Sequence, residues 1–232
     1  MYDHYSFEDA TAYQNELAKQ LKFQPIDKIE TIAGADISFN KNSTTMYAGI
    51  VILSYPEMIL KSFAIDTFET NFPYKAGFLG FKEVPALIKV WTLINDKPDV
   101  VVLDGNGILH PRRMGVASHF GILANQASIG CAKSLLHGEN HVPENKKLST
   151  AKIISHGETL GFALRTKINC ESVYVSAGHL ITAEQGLEIM KNSVGNYRIP
   201  EPTRMAHNIV NDFRIGKLKP GFHKVSAPLT LF

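Results

Sequence analysis

Asp36, Glu83, Asp104 and His207 have the side-chain types and settings to assemble a cation site. Asp104 follows Val100–Leu103, a continuous β-branched apolar run that reads as a buried strand, and precedes Gly105 and Gly107. An acid at the end of such a strand, beside a loop that permits close backbone approach, suits a metal or phosphate site as well as it suits a solvated turn. Asp36 lies inside a second apolar segment, Ile29–Phe39, where a carboxylate must be hydrogen-bonded, paired or bound to a metal. Glu83 falls in the first turn of a predicted helix, where it can join the other acids or simply complement the helix dipole. Converging acids repel one another unless a cation sits between them. Mg²⁺ takes one or two carboxylates together with waters and substrate phosphate oxygens. Two such ions, ~4 Å apart, support phosphodiester hydrolysis.

Basic residues crowd the same region. His110, Arg112 and Arg113 follow Asp104 in one loop, and His119 lies in the next helix. Beside an acidic cluster such groups fit a phosphate-bearing substrate, although a solvated loop explains them equally well. Lys133 ends a predicted strand, from which it can reach the cleft and offset charge developing on a phosphorane, or stay in solvent. Arg204 and His207 are three residues apart on the last helix and share a face. Tyr74, after Pro73, can act as a wedge in the gap left by an unstacked base, where stacking contributes ~1–3 kcal/mol, or fold back onto the core. There is no Walker loop, zinc-spaced Cys/His set, GxSxG motif or dinucleotide fingerprint.

The elements that must position these groups can be read in order. The spacing of Ala10, Tyr13, Leu17 and Leu21 predicts a helix over Phe7–Leu21, capped by Ser6. Strands follow over Ile29–Phe39, Thr45–Ser54 and Met58–Phe68; short turns make them an antiparallel meander. Thr70–Gly80 reads as a loop with exposed aromatics, Phe72 and Tyr74. A helix from Lys82 to about Asn95 buries Leu87, Val90, Trp91 and Ile94. Further helices are expected at Gly115–Ser128, at Thr182–Val194 with Thr182 as cap, and at Glu201–Arg214. Strands are expected at Ile129–Lys133, within Ile153–Ile168 and at Ser172–Val175, with His137–Ser149 irregular and His179 either structural or supporting a site residue. A meander followed by strand–helix units gives an α/β fold: a mixed sheet with helices on both faces and the first strand beside the fourth. Asp36 and Asp104 would then meet.

The 232 residues, 44% hydrophobic and 20% charged, suit one domain, with its core over about 29–214 and a partly loose basic tail over 216–232. A net charge of +2 does not by itself demand a polyanionic partner. Two cysteines make neither a disulfide framework nor a zinc site and point to a reducing compartment. No signal peptide or membrane-spanning run is present, so a cytoplasmic location is expected.

Several of these stretches together resemble the endonuclease V family. They are Ala33–Phe39; Pro73-Tyr74 with Gly77–Glu83; Asp104–Arg113; Gly115–His119; Ile129–Lys133; and Arg198–His207, in the family's order and covering most of residues 30–214. The resemblance implies an RNase H-like fold and Mg²⁺-dependent nicking at the second phosphodiester bond 3′ to deoxyinosine, with Mn²⁺ able to substitute. The ends would be 3′-hydroxyl and 5′-phosphate, and the setting DNA repair by a monomer. Asp36, Asp104 and Glu83 match the family's metal-binding acids, Lys133 its active-site lysine, His207 its fourth catalytic position and Tyr74 its wedge. Hypoxanthine would be read near Gly77–Gly80 and Gly105–Ile108, with Pro73, Asn106, Gly107, His110, Arg112, His119 and Arg204 as further substrate contacts. Asn106 and the Phe81–Pro85 run resemble the eukaryotic branch, which acts on inosine in RNA, whereas His207 resembles the bacterial one. Inosine-containing RNA is therefore an alternative substrate, and a non-catalytic binder of deaminated nucleic acid is a third reading. The binder has no need of the acids.

Overall fold

A computed structural model describes residues 1–41 and 43–225. The helices are α1 (Phe7–Ala18), α2 (Leu79–Thr92), α3 (Val116–Ala124), α4 (Ala183–Asn192) and α5 (Glu201–Arg214). The strands are β1 (Thr31–Phe39), β2 (Thr45–Ser54), β3 (Leu60–Glu69), β4 (Val100–Leu103), β5 (Ser128–Ala132), β6 (Glu139–Asn140), β7 (Thr150–Ser155), β8 (Glu158–Leu164), β9 (Val173–His179) and β10 (Gly221–Lys224).

All ten strands join one sheet in the order β10-β3-β2-β1-β4-β5-β9-β8-β7-β6. The expected meander is there: β1 pairs antiparallel with β2, and β2 with β3. The crossover through α2 then sets β4 parallel to β1, with Ala35 opposite Leu103. Asp36 and Asp104 are therefore neighbours at the point where β4 stops. Alternation along β1 divides the core. Ile32 packs on the side of α4 and α5, with Leu187, Met190, Ala206, Ile209 and Phe213. Ala33 and Ala35 pack on the other side, with Leu87, Val90 and Trp91 of α2 and Phe120 of α3. Gly34 lets α5 approach: a Cβ there would lie 1.8 Å from the Pro202 carbonyl oxygen. Helices thus cover both faces, as expected for strands buried on both sides.

Several boundaries differ from the sequence reading. Helix α2 begins at Leu79, not Lys82, so Glu83 lies beyond its first turn and does not serve as a dipole partner. Phe72 is buried, not exposed, because Asp3 accepts hydrogen bonds from Thr70 Oγ1 and the Asn71 and Phe72 amides and folds the loop inward. The 137–149 segment contains β6, which pairs with β7. The tail is not loose at its start: β10 pairs with β3 at the sheet edge. Residues 226–232 of the tail lie outside those described.

Candidate active site

Asp36, Glu83 and Asp104 line one cavity of about 180 Å³, closed by Ala35, Ile37, Leu87, Leu103 and Val116. Asp36 comes from the central strand, Asp104 from the end of β4 and Glu83 from α2. Each aspartate has a hydrogen-bonding neighbour. His207 Nδ1 lies 2.9 Å from Asp36 Oδ2, and the Lys133 ammonium, just past β5, contacts Asp104 Oδ2. Burial and the charges of Asp36 and Asp104 push the Glu83 carboxyl up to about 8. Burial also raises Asp104, against the opposing pull of Lys133. Burial opposes the charge on Lys133, but the hydrogen bond and charge of Asp104 outweigh it and hold the ammonium above its ordinary range. The hydrogen bond to Asp36 raises His207.

Burial first, and the neighbouring charges second, disfavour the ionised forms of Glu83 and Asp104, which is the condition a divalent cation relieves. Among the described residues, no three His, Cys, Asp or Glu side chains are preassembled around a single ion position. This arrangement fits Mg²⁺, which needs only one or two carboxylates and completes its octahedron with water and phosphate oxygens. Asp36, Asp104 and Glu83 are the residues that would hold it.

A second cavity, also about 180 Å³, adjoins the first: Val116 lines both, and Gly105 follows Asp104 directly. Tyr74, Ala76, Gly77 and Gly80 form one wall, Gly105, Asn106 and His110 another, and Leu135 and Leu136 a third. Tyr74 stands at its rim, 71% exposed, and Pro73 beside it is exposed too. Gly77 needs its glycine, since φ is +80°. Gly107 is required for packing: a Cβ would lie 2.1 Å from the Ala177 carbonyl oxygen. The Asn106 Oδ1 is buried without a hydrogen-bond partner among the described residues.

The basic residues expected to face phosphate are mostly engaged elsewhere. His110 is buried; its Nε2 donates to the Gly77 carbonyl at 2.9 Å while Nδ1 accepts from the Arg112 amide at 3.1 Å. Burial pushes it down to about 4, so it lines the pocket as a neutral brace. Arg112 donates to the same Gly77 carbonyl and to Gln14 Oε1. Arg113 pairs with Glu158. Arg204 is held on Glu201 and lies 4.6 Å from the Tyr197 ring centroid. His119 is a correction outright. It is fully buried among Tyr2, Tyr13 and Phe81, bonded at 3.1 Å to the Tyr2 hydroxyl and pushed down to about 3 by burial, so it is no cleft cation. Of the two roles open to His179, the structure shows the structural one: its Nδ1 accepts from the Lys22 amide.

Sequence reasoning missed Gln14. Fully buried on α1, it donates to the Gly77 and Met114 carbonyls and accepts from Arg112, clamping both walls of the second cavity. The available signal was a polar residue on the apolar stripe of Ala10 and Leu17.

Comparison with known proteins settles the family. The endonuclease V family model matches residues 14–208. The chain belongs to the endonuclease V family. An endonuclease V from Methanothrix thermoacetophila is 41% identical over 200 residues, covering 86% of this chain and 88% of that protein. The endonuclease V crystal structure from Bacillus subtilis superposes with a TM-score of 0.86 at 27% identity, covering 93% of this chain and 94% of that one. Endonuclease V from Ciona intestinalis, in complex with a 24mer DNA containing an inosine followed by a ribo-adenosine, superposes with a TM-score of 0.81 at 28% identity, covering 91% and 99%. The mixed sheet with helices on both faces is thus the RNase H-like fold of endonuclease V, and the acid-lined cavity lies within the matched region.

Proposed function

We propose that this chain is a Mg²⁺-dependent DNA repair nuclease that nicks the second phosphodiester bond 3′ to deoxyinosine, leaving 3′-hydroxyl and 5′-phosphate ends. The observation that carries this reading is the junction of the two cavities at Asp104–Gly105 and Val116. A base held between Gly77–Gly80 and Gly105–Asn106 puts its own strand beside the three acids.

Asp36, Asp104 and Glu83 would hold Mg²⁺, which when bound activates the attacking water and steadies the leaving 3′ oxygen. Lys133, already facing Asp104, offsets the charge that develops on the phosphate. His207 engages one oxygen of Asp36 and so orients that carboxylate. Tyr74 fills the stack from which the base is drawn, and Gln14, His110 and Arg112 keep the pocket wall from yielding as the base enters. The chain acts as a single catalytic domain, a monomer in the cytoplasm, and Mn²⁺ replaces Mg²⁺.

The Ciona complex, with its ribo-adenosine after the inosine, favours a second reading in which the substrate is inosine in RNA. Purified protein with Mg²⁺ and matched strands carrying deoxyinosine, inosine or neither distinguishes the readings. Faster nicking of the deoxyinosine strand supports the repair nuclease, and faster nicking of the inosine RNA supports the ribonuclease. Binding without nicking shows a non-catalytic binder. Equal nicking of all three refutes the base pocket.

A further inference from the structure

Tyr74 stands on an arch with two buried feet. Phe72 and Phe78 are buried, and residues 73–76 between them are exposed. Both feet enter one aromatic cluster with Tyr2, Ala10 and Phe81. Phe72 stacks on Phe81 with the ring centroids 5.4 Å apart and meets the Phe7 ring edge-on at 6.0 Å; Phe7 also packs on Phe78 at 5.2 Å. The ammonium of Lys75, next to Tyr74, lies 4.0 Å from the centroid of the same Phe7 ring. The polar anchor of the first foot is Asp3. Its Oδ1 accepts from Thr70 Oγ1 at 2.9 Å, from the Asn71 amide at 3.0 Å and from the Phe72 amide at 3.1 Å, the last shared with Thr70 Oγ1. Burial opposes the charge on Asp3, but the bonds from Thr70, Asn71 and Phe72 outweigh it and hold the carboxyl below its ordinary range. Gln14 holds the other end of the arch through the Gly77 carbonyl, at 3.0 Å. Tyr2, Asp3 and Phe7 precede residues 14–208, the stretch that the family model matches.

We propose that Asp3 is a positioning residue for Tyr74: with the Phe7 ring, its carboxylate fixes the start of the 72–78 arch and keeps Tyr74 standing at the rim of the base pocket. The inference rests on the reading of Tyr74 as the wedge. A ring that fills a gap in a base stack must already stand where the gap opens. An arch free to lie down would lose part of the stacking to its own ordering. Strand β3 and helix α2, which the arch connects, do not supply that stiffness alone. The segment ahead of the matched stretch supplies the rest.

The test is competition cleavage, with Mg²⁺, of a duplex carrying deoxyinosine against an undamaged duplex. It compares the parent with Asp3→Ala, Asp3→Asn, Tyr74→Ala and the double variant Asp3→Ala/Tyr74→Ala, each at a temperature where urea unfolding shows it folded. Asp3→Ala lowers the preference for the deoxyinosine duplex on the order of 10–100-fold. Asp3→Asn keeps an accepting oxygen for the three donors and retains most of the preference. In the Tyr74→Ala background, Asp3→Ala changes the preference by no more than about twofold, because the ring it positions is gone. A single strand carrying deoxyinosine has its base already unpaired, and Asp3→Ala cuts it at close to the parental rate. An anchor that served folding alone would slow duplex and single strand alike, and its loss would multiply with that of Tyr74→Ala. Either result overturns the proposal, as does a parental preference in Asp3→Ala or an Asp3→Asn variant no better than Asp3→Ala. Tyr74→Ala alone judges the wedge. If it keeps the parental preference, the wedge reading fails and takes the positioning role with it. If it loses the preference while Asp3→Ala keeps it, only the role of Asp3 fails.

Discussion

Replacing Glu83 by Gln makes the metal-free protein more stable while it removes one of the acids proposed to hold the cation. Burial and the facing Asp36 and Asp104 raise the Glu83 carboxyl from its ordinary 4.5 to about 8. An acid raised in this way binds its proton more tightly in the folded chain than in the unfolded one. Its contribution to stability is complete below pH 4.5 and is lost as the pH rises toward 8. At ~1.4 kcal/mol per pH unit, the loss reaches at most about 3 kcal/mol by pH 7 and stays under about 1 kcal/mol at pH 5. Gln reproduces the neutral acid and escapes the loss. In EDTA at pH 7 the variant is therefore more stable by up to about 3 kcal/mol, or about 6–12 °C in Tm for a chain of this size. At pH 5 the advantage nearly vanishes. Mg²⁺ at pH 7 narrows the gap, because it stabilises the parent and has less to bind in the variant. Urea unfolding, followed through the buried Trp91, reads all of this. An advantage that is absent, or equal at pH 5 and pH 8, would falsify the view that Glu83 is a repelled acid in that cavity.

Three further outcomes are expected. Tyr74→Ala weakens preference for the deoxyinosine strand by about 5- to 150-fold, the equivalent of ~1–3 kcal/mol of stacking, without altering metal-dependent stabilisation; unchanged discrimination in a competition cleavage assay makes Tyr74 a mere surface ring. Gln14→Leu costs about 1–3 kcal/mol in urea unfolding, because the Met114 carbonyl loses its donor and Arg112 its acceptor, and it also slows cleavage; a loss of stability with cleavage intact shows that the wall needs no such clamp. In the Glu83→Gln background, stability falls as the pH drops below 6.5, since His110 and His119 are held down to about 4 and about 3 and the unfolded chain takes up their protons first. Each contributes about 2 kcal/mol of loss by pH 5, and a flat profile from pH 7 to 5 contradicts their burial as neutral rings.

The backbone frame is legible because it follows local periodicity. Thr45–Ser54, Val100–Leu103 and Glu201–Arg214 have the limits their apolar patterns indicate, and the crossover after the meander puts Asp36 beside Asp104. What local pattern cannot carry is the choice of partner. His119 and His110 are the same residue type nine positions apart, yet one is packed against Tyr2 from the far end of the chain and the other braces Gly77. Arg112 is committed to Gln14, about a hundred residues earlier. The start of α2 was misplaced for a related reason. Its cap, Phe78, makes no side-chain bond, so the usual polar signal is missing and Pro85 inside the helix points the wrong way.

The distribution of counter-charges in the cleft leads to one more measurable consequence. Asp36 has His207 and Asp104 has Lys133. Glu83 has no hydrogen-bonded or ion-paired partner among the described residues, and Lys82 reaches it only as a distant charge. The protein thus gives a hydrogen-bonded partner to two of its three acids and leaves the third to hold a proton. A metal ion must bind a deprotonated carboxylate, so cation uptake at pH 7 displaces the Glu83 proton into solvent. Calorimetric titration of the metal-free protein with Mg²⁺, repeated in buffers of different ionisation enthalpy, therefore shows release of about one proton per protein at pH 7 and markedly less at pH 9. Glu83→Gln abolishes the release even where residual binding is measurable. Uptake of Mg²⁺ without proton release at pH 7 in the parent would mean that Glu83 is already ionised, with a counter-charge of its own, and that the cavity is not the repulsive cluster its geometry indicates.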